Sequence, residues 1–366
     1  MQEELKNYWV ALNLIFAEDL RSVKKIVENF PKIPDVFEAD IKDLINLGIE
    51  EEKARELFSS RLRARVNKEI EWLLSRGYSI LTLEDEDYPE ILREIFDPPL
   101  VLYCAGKKEV LRFPSVSIVG SRKPSPYGRG VAERLARDLS SLGLVVVSGL
   151  ARGIDCAAHW GALEEGRTVA VLGSGLRNIY PRENRRLFER IIENGAVVTE
   201  FPGESPPLGF HFPIRNRIIS GLSFALVVVE ATLRSGSLIS ARLALEQNRE
   251  VMAVPGNVTS PLSQGTHWLI KNGAKLVENW KDVVEELPTA LKEEVLGKEK
   301  EKEKPETISK EEEAVLNLLH PDSLTHIDEM VEVSRLSVSE ILSHLLSLEL
   351  KGYVNQFPGK YFQRKF

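Results

Sequence analysis

The sequence predicts an α/β fold, a doubly wound and mostly parallel sheet, flanked by a small helical domain before it and a second small module after it. Three observations carry this reading. Between Ser115 and Glu278, seven short apolar runs alternate with helical patterns, the signature of a parallel sheet covered by helices. Nearly every run is followed by a loop rich in Gly, Ser and Arg. The segments before residue 76 and after residue 307 have helical periodicity of their own and lack that alternation.

Residues 1–75 read as helical. Tyr8, Leu12, Ile15 and Phe16 recur at helical spacing, followed by Leu20, Val23, Ile26 and Val27. Residues 40–54 have a helix, an apolar-Gly-apolar turn at Leu47-Gly48-Ile49 and another helix. That pattern suits a helix-hairpin-helix, a SAM-like module or a plain helical bundle. Tyr78–Leu83 and Leu100–Cys104 are strand-like and extend the central domain, set at 76–287. Its seven principal strands are Val116–Val119, Leu144–Val147, Thr168–Leu172, Ala196–Thr199, Phe224–Val229, Glu250–Val254 and Ala274–Val277. Trp280–Leu287 is a short closing helix. Residues 288–307 read as a charged linker: Lys and Glu alternate from Lys298 to Lys304, a run with no apolar face to bury that suits a solvated linker or a frayed helix. In residues 308–366, Ser309…Glu312, Thr325…Asp328 and Ser337…Glu340 look like capping boxes that open three helices. A hairpin follows, Tyr353–Phe357 and Tyr361–Lys365, which completes a winged helix. Its third helix, Val338 to Lys351, has no Arg or Lys before its last residue, so a protein contact competes with DNA reading there; the wing carries Lys360, Arg364 and Lys365.

The chain has 366 residues, enough for two or three domains, and 43% of them are apolar, enough for a sizeable core. Its net charge of −7 argues against a surface that is basic throughout, but a local cationic groove can act inside an acidic envelope. The two cysteines, Cys104 and Cys156, form no disulfide framework. No run approaches a membrane span and the start lacks a signal-peptide pattern, so a cytoplasmic protein is expected. The six histidines never pair at metal-ligand spacing, and neither a metal nor another cofactor is expected.

Loops that follow parallel strands gather on one edge of the sheet, where ligands bind. The first is Gly120-Ser121-Arg122-Lys123, between a strand and a helix. Its glycine admits a phosphate to the backbone, the helix start offers N–H groups, and Arg122 adds a planar fork. The second, Ser148-Gly149-Leu150-Ala151-Arg152, also runs into a helix. Asp155 and His159 lie one turn apart beyond it, but no nucleophile accompanies them, and the bland reading is preferred: a dipole-facing acid and a packed histidine. The fourth loop holds Phe210, Phe212, Arg215, Asn216 and Arg217. Two arginines two residues apart point to different sides of a helix, so one can face a groove while the other supports the fold. The two phenylalanines suit base stacking or the core. The fifth loop, Ser235-Gly236-Ser237, opens another helix and can donate amides and hydroxyls. The first turn does not fit G-x-G-x-x-G, a P-loop is absent, and Gly173-Ser174-Gly175 is a lone GxG. Neither NAD nor ATP use is supported, and no catalytic residue is assigned.

Taken together, GSR at 120–122, SGLARGID at 148–155, FPIRNRIISGLS at 212–223 and SGSLISA at 235–241 resemble the DNA-processing protein A family, DprA or Smf, as do VEATLRSGSLISA and VMAVPGN. The resemblance is strong from Tyr78 to Asn279. It implies a Rossmann-like protein that binds single-stranded DNA, dimerises through its Rossmann domain and helps load the RecA recombinase during natural transformation. The family's phosphate-contacting arginine corresponds to Arg122, and the other matching positions are Ser148, Gly149, Arg152, Arg215, Asn216, Arg217, Ser235, Gly236 and Ser237. A competing enzyme reading is a nucleotide phosphoribohydrolase on a related fold. That family has a PGGxGTxxE loop with a catalytic Glu, and the corresponding stretch here, RSGSLISA, has none.

Overall fold

The computed structural model describes residues 2–302, 309–319, 324–334, 336–351 and 353–364. The chain divides into two units, one ending at Val295 and the other beginning at Leu296.

The first unit opens with five helices, α1 (Gln2–Phe16), α2 (Leu20–Asn29), α3 (Ile41–Asn46), α4 (Glu51–Leu57) and α5 (Ser60–Ser75). Asp19, Asp40 and Ser59 cap α2, α3 and α5, each accepting a first-turn amide that would otherwise lack a partner. Gly48 makes the turn between α3 and α4 at φ +78°, a conformation glycine adopts without strain. The sheet region follows in the order β1 (Ser79–Thr82), α6 (Glu90–Arg93), β2 (Val101–Gly106), β3 (Ser115–Val119), α7 (Pro126–Ser141), β4 (Val145–Ser148), α8 (Ile154–Glu165) and β5 (Thr168–Val171). It continues with α9 (Arg185–Asn194), β6 (Ala196–Thr199), α10 (His211–Gly221), β7 (Ala225–Val228), α11 (Gly236–Glu246), β8 (Glu250–Ala253), α12 (Gln264–Lys271), β9 (Lys275–Leu276) and α13 (Trp280–Glu285). The charged stretch after it is helical, α14 (Thr289–Lys302), with Leu291 and Val295 buried in its first turns.

The nine strands form one sheet in the order β1-β2-β6-β5-β4-β3-β7-β8-β9. Seven pair in parallel, and β2 pairs antiparallel with both β1 and β6. Strand β3 sits between β4 and β7, with Val116 opposite Val146 on one side and Ala225 on the other. The chain winds outward in one direction through β4, β5 and β6, then restarts at β7 and winds the other way. The crevice beside β3 is therefore the topological switch point. Every residue of β3, β4, β5, β6 and β7 is buried, because helices cover both faces, and this is why these strands read as unbroken apolar runs. The serines in β3 are satisfied internally: Ser117 donates to the Ile219 carbonyl at 2.8 Å, which ties α10 to the strand.

The N-terminal helices share a core with one face of the sheet. Trp9, Leu12, Phe16 and Leu73 pack in one cluster with Tyr103, Leu172, Phe188 and Val197. Leu12 and Phe16 are fully buried, each contributing about 1.5–3 kcal/mol. Strand β2 alternates: Val101, Tyr103 and Ala105 face that cluster, while Leu102 and Cys104 face a second one with Leu92, Ile218 and Leu269. Polar ties cross the same seam. Asn13 donates to the Glu200 carbonyl at 2.8 Å, and the Gly203 amide donates to buried Glu69 of α5 at 2.6 Å. Arg177 stacks over Trp72 at 4.2 Å.

The second unit contains α15 (Lys310–Leu316), β10 (Thr325–His326), α16 (Ile327–Ser334), α17 (Val338–Leu350), β11 (Val354–Phe357) and β12 (Tyr361–Arg364), with strand order β10-β12-β11. Three helices and a terminal hairpin form the winged helix. Capping boxes at Ser309–Glu312 and Ser337–Glu340 are both present. The third expected box is not. Thr325 is a strand residue paired with Phe362, and cross-strand pairing has taken the place of a cap. Lys365 lies outside the described residues. No described helix is long and apolar enough to cross a membrane.

Candidate functional site

A cavity of about 550 Å³ opens at the switch point, beside the carboxyl ends of β3 and β7. Gly120, Ser121 and Arg122 line one wall, and Ser235, Gly236 and Ser237 at the start of α11 line another. Phe212, Arg215 and Asn216 of α10 complete the lining, with Ala151 and Asp155. Nine of the residues singled out in the sequence thus meet in one place although they come from three separate loops.

Arg215 forms the floor. Its guanidinium is buried and donates from one nitrogen to the Gly149 and Val171 carbonyls at 2.6 and 2.5 Å, while Nε donates to Asn216 at 3.1 Å. Burial lowers its pKa to about 10, against the opposing pull of Asp155, so it stays charged at neutral pH. Burial raises the Asp155 carboxyl above its ordinary value, and Arg215 pulls it back. Asp155 also accepts the Ala151 amide at 3.4 Å. Gly149 leaves room for both charged groups: a Cβ there would stand 2.5 Å from Arg215 and 2.6 Å from Asp155, so a larger residue would have to displace one of them.

Arg122 is exposed, with its guanidinium carbon 5.1 Å from the Phe212 ring centre; that of Arg215 lies 5.9 Å away. Phe212 therefore presents a ring to the cavity with two cations beside it. Gly173 has a role in this: a Cβ there would approach the Phe212 ring to 2.9 Å, so the lone GxG makes room for the aromatic.

The starts of α7 and α11 differ. Both have serine caps: Ser125 accepts the Gly128 amide and Ser235 accepts the Ser237 amide. At α7, however, the Glu230 carboxylate accepts both the Ser125 amide, at 2.8 Å, and its hydroxyl, at 2.6 Å. The expectation that the helix after Gly120-Ser121-Arg122 offers its amino end to a phosphate is corrected here, because an internal carboxylate already occupies that end. At α11, Gly236 is exposed and a Cβ added to it would meet nothing within 4 Å. The open anion-facing helix end is the one that begins at Ser235.

Other candidates lie elsewhere. Ser148 is fully buried and donates to the Ile118 carbonyl at 2.6 Å, and Gly149 lies beneath Arg215. Arg152 makes a two-pronged ion pair with Glu183 on the surface. Arg217 is buried on the far side of α10, paired with Glu200 and, at 3.5 Å, with Asp97. Lys123 and Phe210 are exposed outside the cavity lining; Phe210 packs edge-on to His211. His159 lies away from the cavity. Its Nδ1 is 2.7 Å from Thr168, and burial lowers its pKa to about 3, so it is a neutral packed histidine, as the bland reading has it. The sequence reading missed Glu230 and gave Asp155 too small a part. The one local trace of Glu230 was an acid just beyond a strand, and nothing in the sequence pairs it with Ser125, 105 residues away.

The sequence and the solved structures of other proteins bear on this site. The model of the DNA recombination-mediator protein A family matches residues 79–288, and that of the DprA winged helix domain matches residues 299–360. Protein Smf of Escherichia coli is 40% identical over 309 residues, covering 83% of this chain and 82% of that protein. DNA processing protein DprA of Streptococcus pneumoniae is 47% identical over 225 residues, covering 61% of this chain and 77% of that one. The X-ray structure of the latter superposes with a TM-score of 0.69 at 36% identity, covering 77% of this chain and 98% of that chain. A structure of DNA processing protein A from Helicobacter pylori, described for its single-stranded DNA binding mode, gives a TM-score of 0.53 at 34% identity, covering 59% and 96%. On the strength of its sheet region, its winged module and these matches, the chain belongs to the DNA recombination-mediator protein A family.

Proposed function

We propose that the chain binds single-stranded DNA in the switch-point cavity, with little sequence preference. One observation carries this reading: two guanidiniums, an aromatic ring and an open helix start converge on a single groove. Arg122, the Gly120–Arg122 backbone and the Ser235–Ser237 turn hold phosphates, while Phe212 offers a face to a base, with Phe210 beyond it. Arg215 sets the charge of the floor. The relative from Helicobacter pylori, which binds single-stranded DNA, supports the assignment.

Two further parts of this reading rest on the family. The bound strand is delivered to the RecA recombinase in the cytoplasm, and the protein acts as a dimer through its sheet domain. Exposed Leu233, Leu245 and Trp268 supply apolar surface there, each at least half accessible. The phosphoribohydrolase reading is less well supported, since RSGSLISA has no glutamate after the turn, where that family's loop carries its catalytic one. The test is a binding comparison of unlabelled oligonucleotides, single strand against duplex, across a range of salt. Tight, salt-sensitive binding of the single strand and weak binding of the duplex is expected; equal affinity for both would overturn the reading. Release of base from nucleoside monophosphates would favour the hydrolase.

A further inference from the structure

The winged module turns an apolar stripe to solvent. On α17, Val338, Leu342 and Leu346 follow one another at four-residue steps and are 42%, 37% and 58% exposed. The core of the module does not need them, because Ile341, Leu345 and Leu348 already fill it from the adjoining face. On α16, Val333 is 72% exposed. A helix of a small soluble unit ordinarily shows one apolar stripe, and this one shows a second.

The formally charged side chains carried within these two helices are all acidic. Helices α16 and α17 carry Asp328, Glu329, Glu332, Glu340 and Glu349, and neither Ile327–Ser334 nor Val338–Leu350 contains an Arg or a Lys. A helix meant for the major groove would meet phosphates with carboxylates and bases with leucines. A second copy of the stripe would bring these acids against their own kind.

We infer that the exposed face of α17 docks a protein surface that is apolar at its centre and basic at its rim. Val338, Leu342 and Leu346 supply the buried centre and the acids of the two helices supply the complementary rim, a pattern of helix-face recognition that gives both affinity and selectivity. The module is thereby a protein-docking arm.

The experiment uses the full chain and two synthetic helical peptides, each with leucines four residues apart, one flanked by lysines and the other by glutamates. Calorimetric titration should show saturable binding of the lysine peptide, weakening with salt, and no binding of the glutamate peptide. Amide hydrogen exchange should slow in residues 338–350 on binding. The double variant Leu342→Ser/Leu346→Ser should bind the lysine peptide roughly tenfold or more weakly. Leu346→Ala, which keeps helix propensity, should lose part of the affinity with unchanged circular dichroism. Unchanged affinity in Leu346→Ala and the double variant would overturn the inference, as would equal binding of both peptides or protection confined to other segments. Displacement of the peptide by duplex DNA would assign the face to nucleic acid. A change in the free protein's sedimentation caused by the double variant would assign it to a second copy.

Discussion

The amino ends of α7 and α11 begin from the same ingredients and differ in what occupies them. Each follows a buried parallel strand at the switch point, and each has a serine cap. At α7 the carboxylate of Glu230 takes the amide and hydroxyl of Ser125. At α11 the first residue is an exposed glycine with open space beside it. A glycine- and serine-rich loop before a helix is therefore not an anion site by itself. The deciding residue is whether the protein supplies its own anion, and here that anion comes from the end of β7, more than a hundred residues away from Ser125 in sequence.

The strongest way to break this contrast is to remove the floor that both loops share. Arg215→Ala leaves Asp155 buried without its cation and strips the Gly149 and Val171 carbonyls of a donor. A loss of about 3–5 kcal/mol is expected in urea unfolding, together with loss of single-strand binding. Full stability with binding lost would make Arg215 a pure ligand contact. Glu230→Ala comes next. It should cost about 1–3 kcal/mol, because the Ser125 amide loses its acceptor, and it should weaken binding by loosening the Gly120–Arg122 turn. Glu230→Gln keeps one acceptor and removes the charge. Its affinity at low salt should rise above wild type, and a fall as deep as that of Arg122→Ala would mean that the α7 end matters only as a brace.

Arg122→Ala tests the open side. It should weaken all single strands alike, by about tenfold, and lower the salt slope by about 0.7 while leaving thermal unfolding unchanged. Arg122→Lys should recover only part of the affinity, since lysine keeps the charge but loses the planar fork. The smallest effect is expected at Arg152, which is already paired with Glu183 on the surface. Arg152→Ala should alter single-strand affinity by less than about twofold. A larger loss, measured in the same titrations, would show that the arginine exchanges Glu183 for phosphate.

These contrasts also mark what the sequence could reveal. The strands were legible because burial on both faces makes them unbroken apolar runs, and the wall residues Gly120–Arg122 and Ser235–Ser237 were legible because each follows such a run. That Arg215 and Arg217 point apart follows from their spacing. Which one faces the groove depends on Glu200 and Asp97, which are distant in sequence. Glu230 was illegible for a similar reason: at the end of a strand it looks solvated until Ser125 is brought to it. Thr325…Asp328 has the spacing of a cap, but pairing with Phe362 decides its conformation. The antiparallel run of β2 beside β6 has no local signature either, since a short apolar strand reads the same in both directions.

The seam between the N-terminal helices and the sheet has a mechanical consequence. Asn13, Glu69 and Trp72 reach across it, and Leu12, Phe16 and Tyr103 share one core, so pulling on the chain cannot peel α1–α5 away at low force. Stretched between its amino end and Val295, the protein should yield in one rupture rather than two. The chain released should measure on the order of 1000 Å, at roughly 3.5 Å per residue. For the same reason, a fragment trimmed to residues 76–287 would expose one face of β2 to water, although every loop arginine of the groove remains in it.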